Sequence, residues 1–471
     1  MRAIESHATP EDLRLLARGG IADPERAGAS AEGLGSARGM DRVREHLRSG
    51  CPRCASDLRH ATVREAPSLR RLIAETFLTS EEPATGVISE LAGRATAWAT
   101  LLEAERATAP ELEEILLAMP PGERPETIRT GARFHSLGLV HHLMARARDE
   151  GFRDPSRAAC LAELAVEAAE SLQEGTYPVS FSAEARALAW ATLGNALRVT
   201  SDLFGAERAF RSAEAHLAAE AEHPVARAEV LSLLGSLRLS QARYVEAMTV
   251  LSVAVEIYRT FGERRQEGKV LMKMAKAAGE AGEADQAVAL LERAETLLDP
   301  AADRKLLLYA RHGRAAWLRD AGRSREAAEL FEELRPEYEA ELGDFFSQQR
   351  FDWVGARIAW SSGELERAER ELKQVRGAFE EREEAYDFAL VSLDLATLYL
   401  EQGRTAEVRR LAEEMLPIFT SRRIHHHALA ALVLFQRAAE AETATVDFVR
   451  DLATFLHRAR HNPYLAYEPA P

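Results

Sequence analysis

"WATLGNALRVTSDLFGAERAFRSA", from Trp190 to Ala213, holds the spacing that decides how the rest of the chain is read. Trp190, Leu193, Gly194 and Leu197 fall on one helical stretch, and Ala206, Phe210 and Ala213 on the next. The small residue of that second stretch returns at Ala247, Ala287, Ala327, Ala368 and Val408, in steps of 41, 40, 40, 41 and 40. Its surroundings return with it, as "YVEAMTVL", "EADQAVAL", "RSREAAEL", "ELERAERE" and "RTAEVRRL" after the first copy, "LFGAERAF". Accidental spacing in a helical bundle does not hold register over six copies. The chain is therefore built from stacked helix pairs.

Those residues match the pattern W-x2-L-G-x2-[YL]-x8-A-x3-F-x2-A, so the stretch resembles the tetratricopeptide repeat. The resemblance implies an all-α solenoid whose period, longer than the usual ~34 residues, reflects longer helices or connections. Repeats are expected over 159–420, six to seven of them, with "ACLAELAVEAAESL" (Ala159 to Leu172) as a degenerate first copy. The segment 81–158 reads as a helical connector broken at Pro120-Pro121 and Pro125. Residues 421–471 read as capping helices closed by Asn462-Pro463, because a terminal repeat has no neighbour over its apolar face.

Composition agrees with a helical scaffold. Of 471 residues 46% are hydrophobic, and the net charge of -15 argues against a surface that coats a polyanion. Only five of the 60 basic residues are lysine, a bias of genome composition rather than of ligand. No apolar run reaches the length of a membrane span, and the start lacks the apolar core of a secretion signal. Three cysteines make no disulfide framework, which suits a reducing cytoplasm. Motifs such as HExxH, GxSxG and GxxxxGK[ST] are missing, and the chain is read as non-enzymatic.

The one stretch that suggests chemistry is "VREHLRSGCPRCASDL" (Val43 to Leu58). A redox CxxC needs a strand–helix–strand setting, and nothing in the first hundred residues reads as strand. Zinc needs four soft or borderline ligands in a tetrahedron, and His46, Cys51 and Cys54 offer three. His7 stands just before a helix start at Thr9 and Pro10 and is the candidate fourth, with His60 as substitute. Residues 7–58 are similar to the zinc-finger domain of anti-sigma factors: a His or Cys before one helix, then a histidine and CxxC closing the next. The gap from His46 to Cys51 is one residue longer than the commonest spacing, and a Gly-rich loop (Ala22 to Gly39) lengthens the separation from His7. The resemblance implies one structural Zn2+ per chain in a small helical domain, residues 1–80, and a sigma factor or related signalling protein as partner.

Other tempting residues resolve more plainly. Adjacent helical residues diverge by ~100°, so neither His425-His426-His427 nor His141-His142 can converge on one ion. His135 and His142 read as packing residues, and Cys160 as buried and inert. From Arg42 to Leu72 eight arginines face three acids, a local basic segment that could instead make the protein a DNA-binding regulator.

Counting from Trp190, the groove-facing positions of the first helices are Asn195, Arg198, Lys269, Lys276, Tyr309, His312, Arg319, Arg350, Trp353, Arg357 and Trp360. Two tryptophans interleaved with arginines suit an acidic peptide or helix, or else pack between repeats. The expected function is an adaptor that binds a protein partner. A scaffold subunit of a peptide-sensing or protease-based defence assembly is the rival.

Overall fold

The computed structural model describes residues 84–151, 153–218, 224–342, 344–421, 426–460 and 465–467, where every named element is helical. The expected zinc domain with His7, His46, Cys51, Cys54 and His60 lies outside the described residues, as does the basic segment 42–72. Four helices lead in: α1 (Ala84–Ala118), α2 (Arg124–Thr130), α3 (Leu137–Glu150) and α4 (Pro155–Glu170). Pairs follow, α5 (Val179–Val199) with α6 (Leu203–Ala218), and α7 (Pro224–Ser240) with α8 (Tyr244–Phe261). Next come α9 (Arg264–Glu280) with α10 (Ala284–Leu297), and α11 (Arg304–Asp320) with α12 (Ser324–Glu341). Then come α13 (Phe345–Ser361) with α14 (Leu365–Glu381), and α15 (Ala385–Glu401) with α16 (Thr405–Ser421). The last two are α17 (His426–Glu440) and α18 (Val446–Ala459).

One turn is used throughout. Ser201, Ala242, Gly282, Gly322, Gly363 and Gly403 take positive φ between the helices of each pair, and Glu442 does so between α17 and α18. The next residue's N–H donates to the carbonyl five positions back, as Asp202 to Leu197, Glu283 to Ala278 and Thr443 to Ala438, at 2.8–2.9 Å. This Schellman closure satisfies carbonyls that the helix end would leave bare. The second helix of each repeat then starts two residues after the turn residue, whereas α18 starts four after Glu442. Thr445, within that insertion, caps α18 by accepting from the Phe448 N–H at 3.2 Å.

The recurring small residues are buried in every copy. Ala206, Ala247, Ala287, Ala327 and Ala368 have no exposed surface and Val408 has 1%. A methyl at Gly194 would sit 2.8 Å from the Phe210 ring, which is why the first helix carries glycine opposite an aromatic there.

Two compact units divide the chain, one of residues 1–233 and 257–262, the other of 234–256 and 263–471. In the first, Leu116, Ile128, Phe134, Leu143, Leu161 and Ala189 belong to one core. Glu113 is buried there with His142 Nε2 at 2.6 Å, so that histidine holds a carboxylate as well as packing. Cys160 corrects the sequence reading: it is half-buried, with the Arg124 guanidinium donating to its sulfur at 3.2 Å. Arg124 is held there by the Leu117 and Met119 carbonyls. In the second unit Phe331, Phe351 and Tyr338 stack with ring centroids 4.1 and 4.2 Å apart. A further core joins α14 to α18 through Phe379, Phe388, Phe435, Leu452 and Phe455. Among the described residues no helix is long and apolar enough to cross a membrane.

Candidate interaction surface

Helix α15, "AYDFALVSLDLATLYLE", is apolar on nearly every side, the pattern of a helix covered all round. Its neighbours are α14, α16 and, unexpectedly, α18, which packs on α15 more than on α17. The two extra residues before α18 give it the slack to take that direction. The closing helix thus covers the last repeat from the side of its first helix.

Three carboxylates interrupt the apolar surface of α15: Asp387, Asp394 and Glu401, seven residues apart and so on one side. Asp387 and Asp394 are buried. Each of the three meets an arginine. Arg357 of α13 places Nε 2.9 Å from Asp394 Oδ2 and Nη2 3.1 Å from Oδ1, a two-pronged grip. Arg460, just past α18, donates from Nη1 to Asp387 Oδ1 at 2.7 Å. Arg450 of α18 donates to Glu401 Oε1 at 3.2 Å.

The two tryptophans join the same ladder. Trp353 Nε1 donates to Asp394 Oδ2 at 2.6 Å and Trp360 Nε1 to Glu401 Oε2 at 3.0 Å. The Arg357 guanidinium lies 5.8 Å from the Trp353 ring. Both indoles are half-buried against the core of this end of the chain. Of the two roles the sequence left open for them, packing between successive first helices is the one they take here.

The remaining candidates are scattered along the first helices. Arg319 pairs with Asp320, its pKa lowered by burial and by the Arg357 charge. Lys276, Tyr309 and Arg350 are exposed on α9, α11 and α13, and Lys269 is half-buried on α9. His312 turns away from any groove: its ring packs edge-on to Tyr338 at 5.3 Å and against Phe351 at 5.5 Å. Burial and the Arg350 charge lower its pKa to about 4. In the other unit Arg198 donates to Asn195 Oδ1 at 3.0 and 3.1 Å, one turn away on α5.

Helix α18 brings one more group to this side. His457 faces the charges of Arg357, Lys276 and Arg460, and the surrounding protein together with those cations lowers its pKa. Asp387, Asp394, Glu401, Arg450 and Arg460 were missed in the sequence. The signal for the three carboxylates was their seven-residue spacing within an apolar run, and the two arginines carried none. One shallow cavity at the surface of the described residues, of about 470 Å³ on α14, is lined by Glu366, Glu369, Arg370, Lys373 and Gln374. Each carboxylate of the ladder is engaged by donors of neighbouring helices, while one buried oxygen, Asp387 Oδ2, has no hydrogen-bond partner among the described residues.

No protein family matches the chain by sequence, and no curated protein does. Among solved structures, aspartyl phosphate phosphatase F from Bacillus subtilis is similar at 13% identity over 89% of this chain and 96% of its own, with a TM-score of 0.48. A Rap protein complexed with competence and sporulation factor is similar at 11% identity, over 68% of this chain and 91% of its own, with a TM-score of 0.48. A signal-transduction ATPase with a tetratricopeptide repeat sensor, from Pyrococcus horikoshii, is 13% identical over 91% of this chain and 65% of its own, with a TM-score of 0.47. At such scores these are likenesses of helical repeats and say nothing about what this chain binds.

Proposed function

We propose that the protein is a non-enzymatic regulatory adaptor that binds a protein partner along the first helices of its repeats. The observation that supports this most is the seating of α18, a helix outside the repeat pairs, on the first-helix side of α15 by arginine–carboxylate pairs and apolar contact. Such a surface reads helices by charge register and apolar contact. Lys269, Lys276 and Arg350, outside the ladder, are suited to an acidic segment of the partner. Lys276→Glu with Arg350→Glu in the full chain is expected to abolish capture of that partner with thermal unfolding nearly unchanged. Capture that survives both changes places the acidic contact elsewhere.

The N-terminal residues would supply the second half of the adaptor. Two thiolates and two imidazoles, from Cys51, Cys54, His7 and His46, are a complete donor set for a structural zinc with no open position for a substrate. The partner of that segment is proposed to be a sigma factor or related signalling protein. Elemental analysis of untagged full chain is expected to give about one zinc per chain. Equal metal in Cys51→Ser/Cys54→Ser and in the parent would falsify the site.

A further inference from the structure

The first-helix side of α15 is covered by part of the chain itself. Helix α18 turns Val449, Leu452, Phe455, Leu456 and Ala459 inward and leaves Arg450, Asp451, His457 and Arg458 exposed. It is a short amphipathic helix lying on an apolar surface, the arrangement by which one protein commonly binds a helix of another. Its polar anchors are two arginines ten residues apart, matched to Glu401 and Asp387, which are fourteen apart on α15.

Three observations distinguish this contact from an ordinary repeat interface. The turn before α18 is the repeat's own turn, yet two inserted residues redirect the helix away from the usual place of a second helix. Arg450 is largely exposed, so one of the two anchors is held weakly. Asp387 Oδ2 is buried with no hydrogen-bond partner among the described residues, because Arg460 engages only Oδ1. The seat is therefore matched to α18 in pattern but not saturated by it.

We propose that α18 is an intramolecular stand-in, and that the surface beneath it is a docking site for an amphipathic helix of a partner protein. That helix carries an apolar stripe spaced like Val449, Leu452 and Leu456, with basic residues near both ends to meet Glu401 and Asp387. A second donor at the Asp387 end would reach Oδ2, giving the incoming helix an advantage over α18. Tethering makes α18 a competitor at high effective concentration, so a partner has to exceed that to bind. The inference rests on the adaptor reading but is tested without knowing the partner.

The probe is a labelled peptide of residues 445–460, titrated into the full chain and into full-length Arg450→Glu/Arg460→Glu. Weakening the tethered helix is expected to raise the peptide's affinity about tenfold or more over the parent. A peptide with both arginines changed to glutamate is expected to bind neither. Equal affinity for parent and variant, or no binding to a variant with the parent's helical content, overturns the proposal. Hydrogen exchange on the unmodified chain needs no variant: α18 amides are expected to exchange through an opening that leaves α13 and α15 protected. Exchange of α18 only together with α15 overturns it as well. A parent dimer lost in Arg450→Glu/Arg460→Glu would assign the seat to a second copy's α18 and also overturn it. Failure of these tests leaves partner capture through Lys276 and Arg350 to be judged separately.

Discussion

Glu369 is one residue through which pH should act on stability. Its Oε2 lies 2.6 Å from Arg404 Nη1, and Oε1 takes Lys373 Nζ at 2.6 Å and the Tyr399 hydroxyl at 3.0 Å. The Arg404 hydrogen bond first, then those of Lys373 and Tyr399, lower its pKa from 4.5 to about 2. A lowered carboxylate pKa stabilises the fold above the unfolded value, and that stability is lost as pH falls through the folded one. The contribution of this carboxylate to thermal stability is therefore expected to fade from about pH 5 down to about pH 2, and Glu369→Gln to remove that part of the pH dependence. The substitution itself should cost about 1–2 kcal/mol near neutrality, discounted for the solvent around Arg404. Asp394 tests the ladder by substitution. Removing it as Asp394→Ala strands the Trp353 N–H and the Arg357 guanidinium, at about 2 kcal/mol in denaturant unfolding.

At the scale of elements, the turns carry the period. Gly322 has φ +75° with open space where a side chain would go, so the backbone alone makes alanine costly there. Gly322→Ala is expected to lose about 1 kcal/mol. Ala242 holds the equivalent conformation, φ +56°, without glycine's freedom. Ala242→Gly should gain about 0.5 kcal/mol, measured as a shift of the urea midpoint at constant slope. A loss at Ala242 and none at Gly322 would mean that these turns are not equivalent.

Over the whole molecule, stability is expected to be local, because helical repeats are held by their neighbours. Phe388 is fully buried in the core that joins α14 to α18, whereas Leu143 belongs to the core of α1 to α5. Phe388→Ala is expected to cost about 3–5 kcal/mol where it sits. Hydrogen exchange should then rise in α13 to α18 while α3 and α4 keep their protection. Equal loss of protection along the chain would mean a single cooperative unit, against the two compact units described.

The all-helical repeat architecture and its register followed from sequence alone. A small residue every 40–41 positions is demanded by close helix approach, and Ala206 to Val408 meet that demand residue by residue. Local rules of this kind act within about one period, so periodicity exposes them. The use of the first-helix surface could not be read that way. Trp353 and Arg357 look the same in sequence whether they face a partner or Asp394, 41 and 37 residues away. Only folding brought those groups together, with the two-residue slack before Val446 letting α18 turn onto α15. Charge pairing between distant helices leaves no spacing rule in a chain whose surface is rich in arginine and glutamate throughout. Tertiary packing alone chose which carboxylates those arginines would hold.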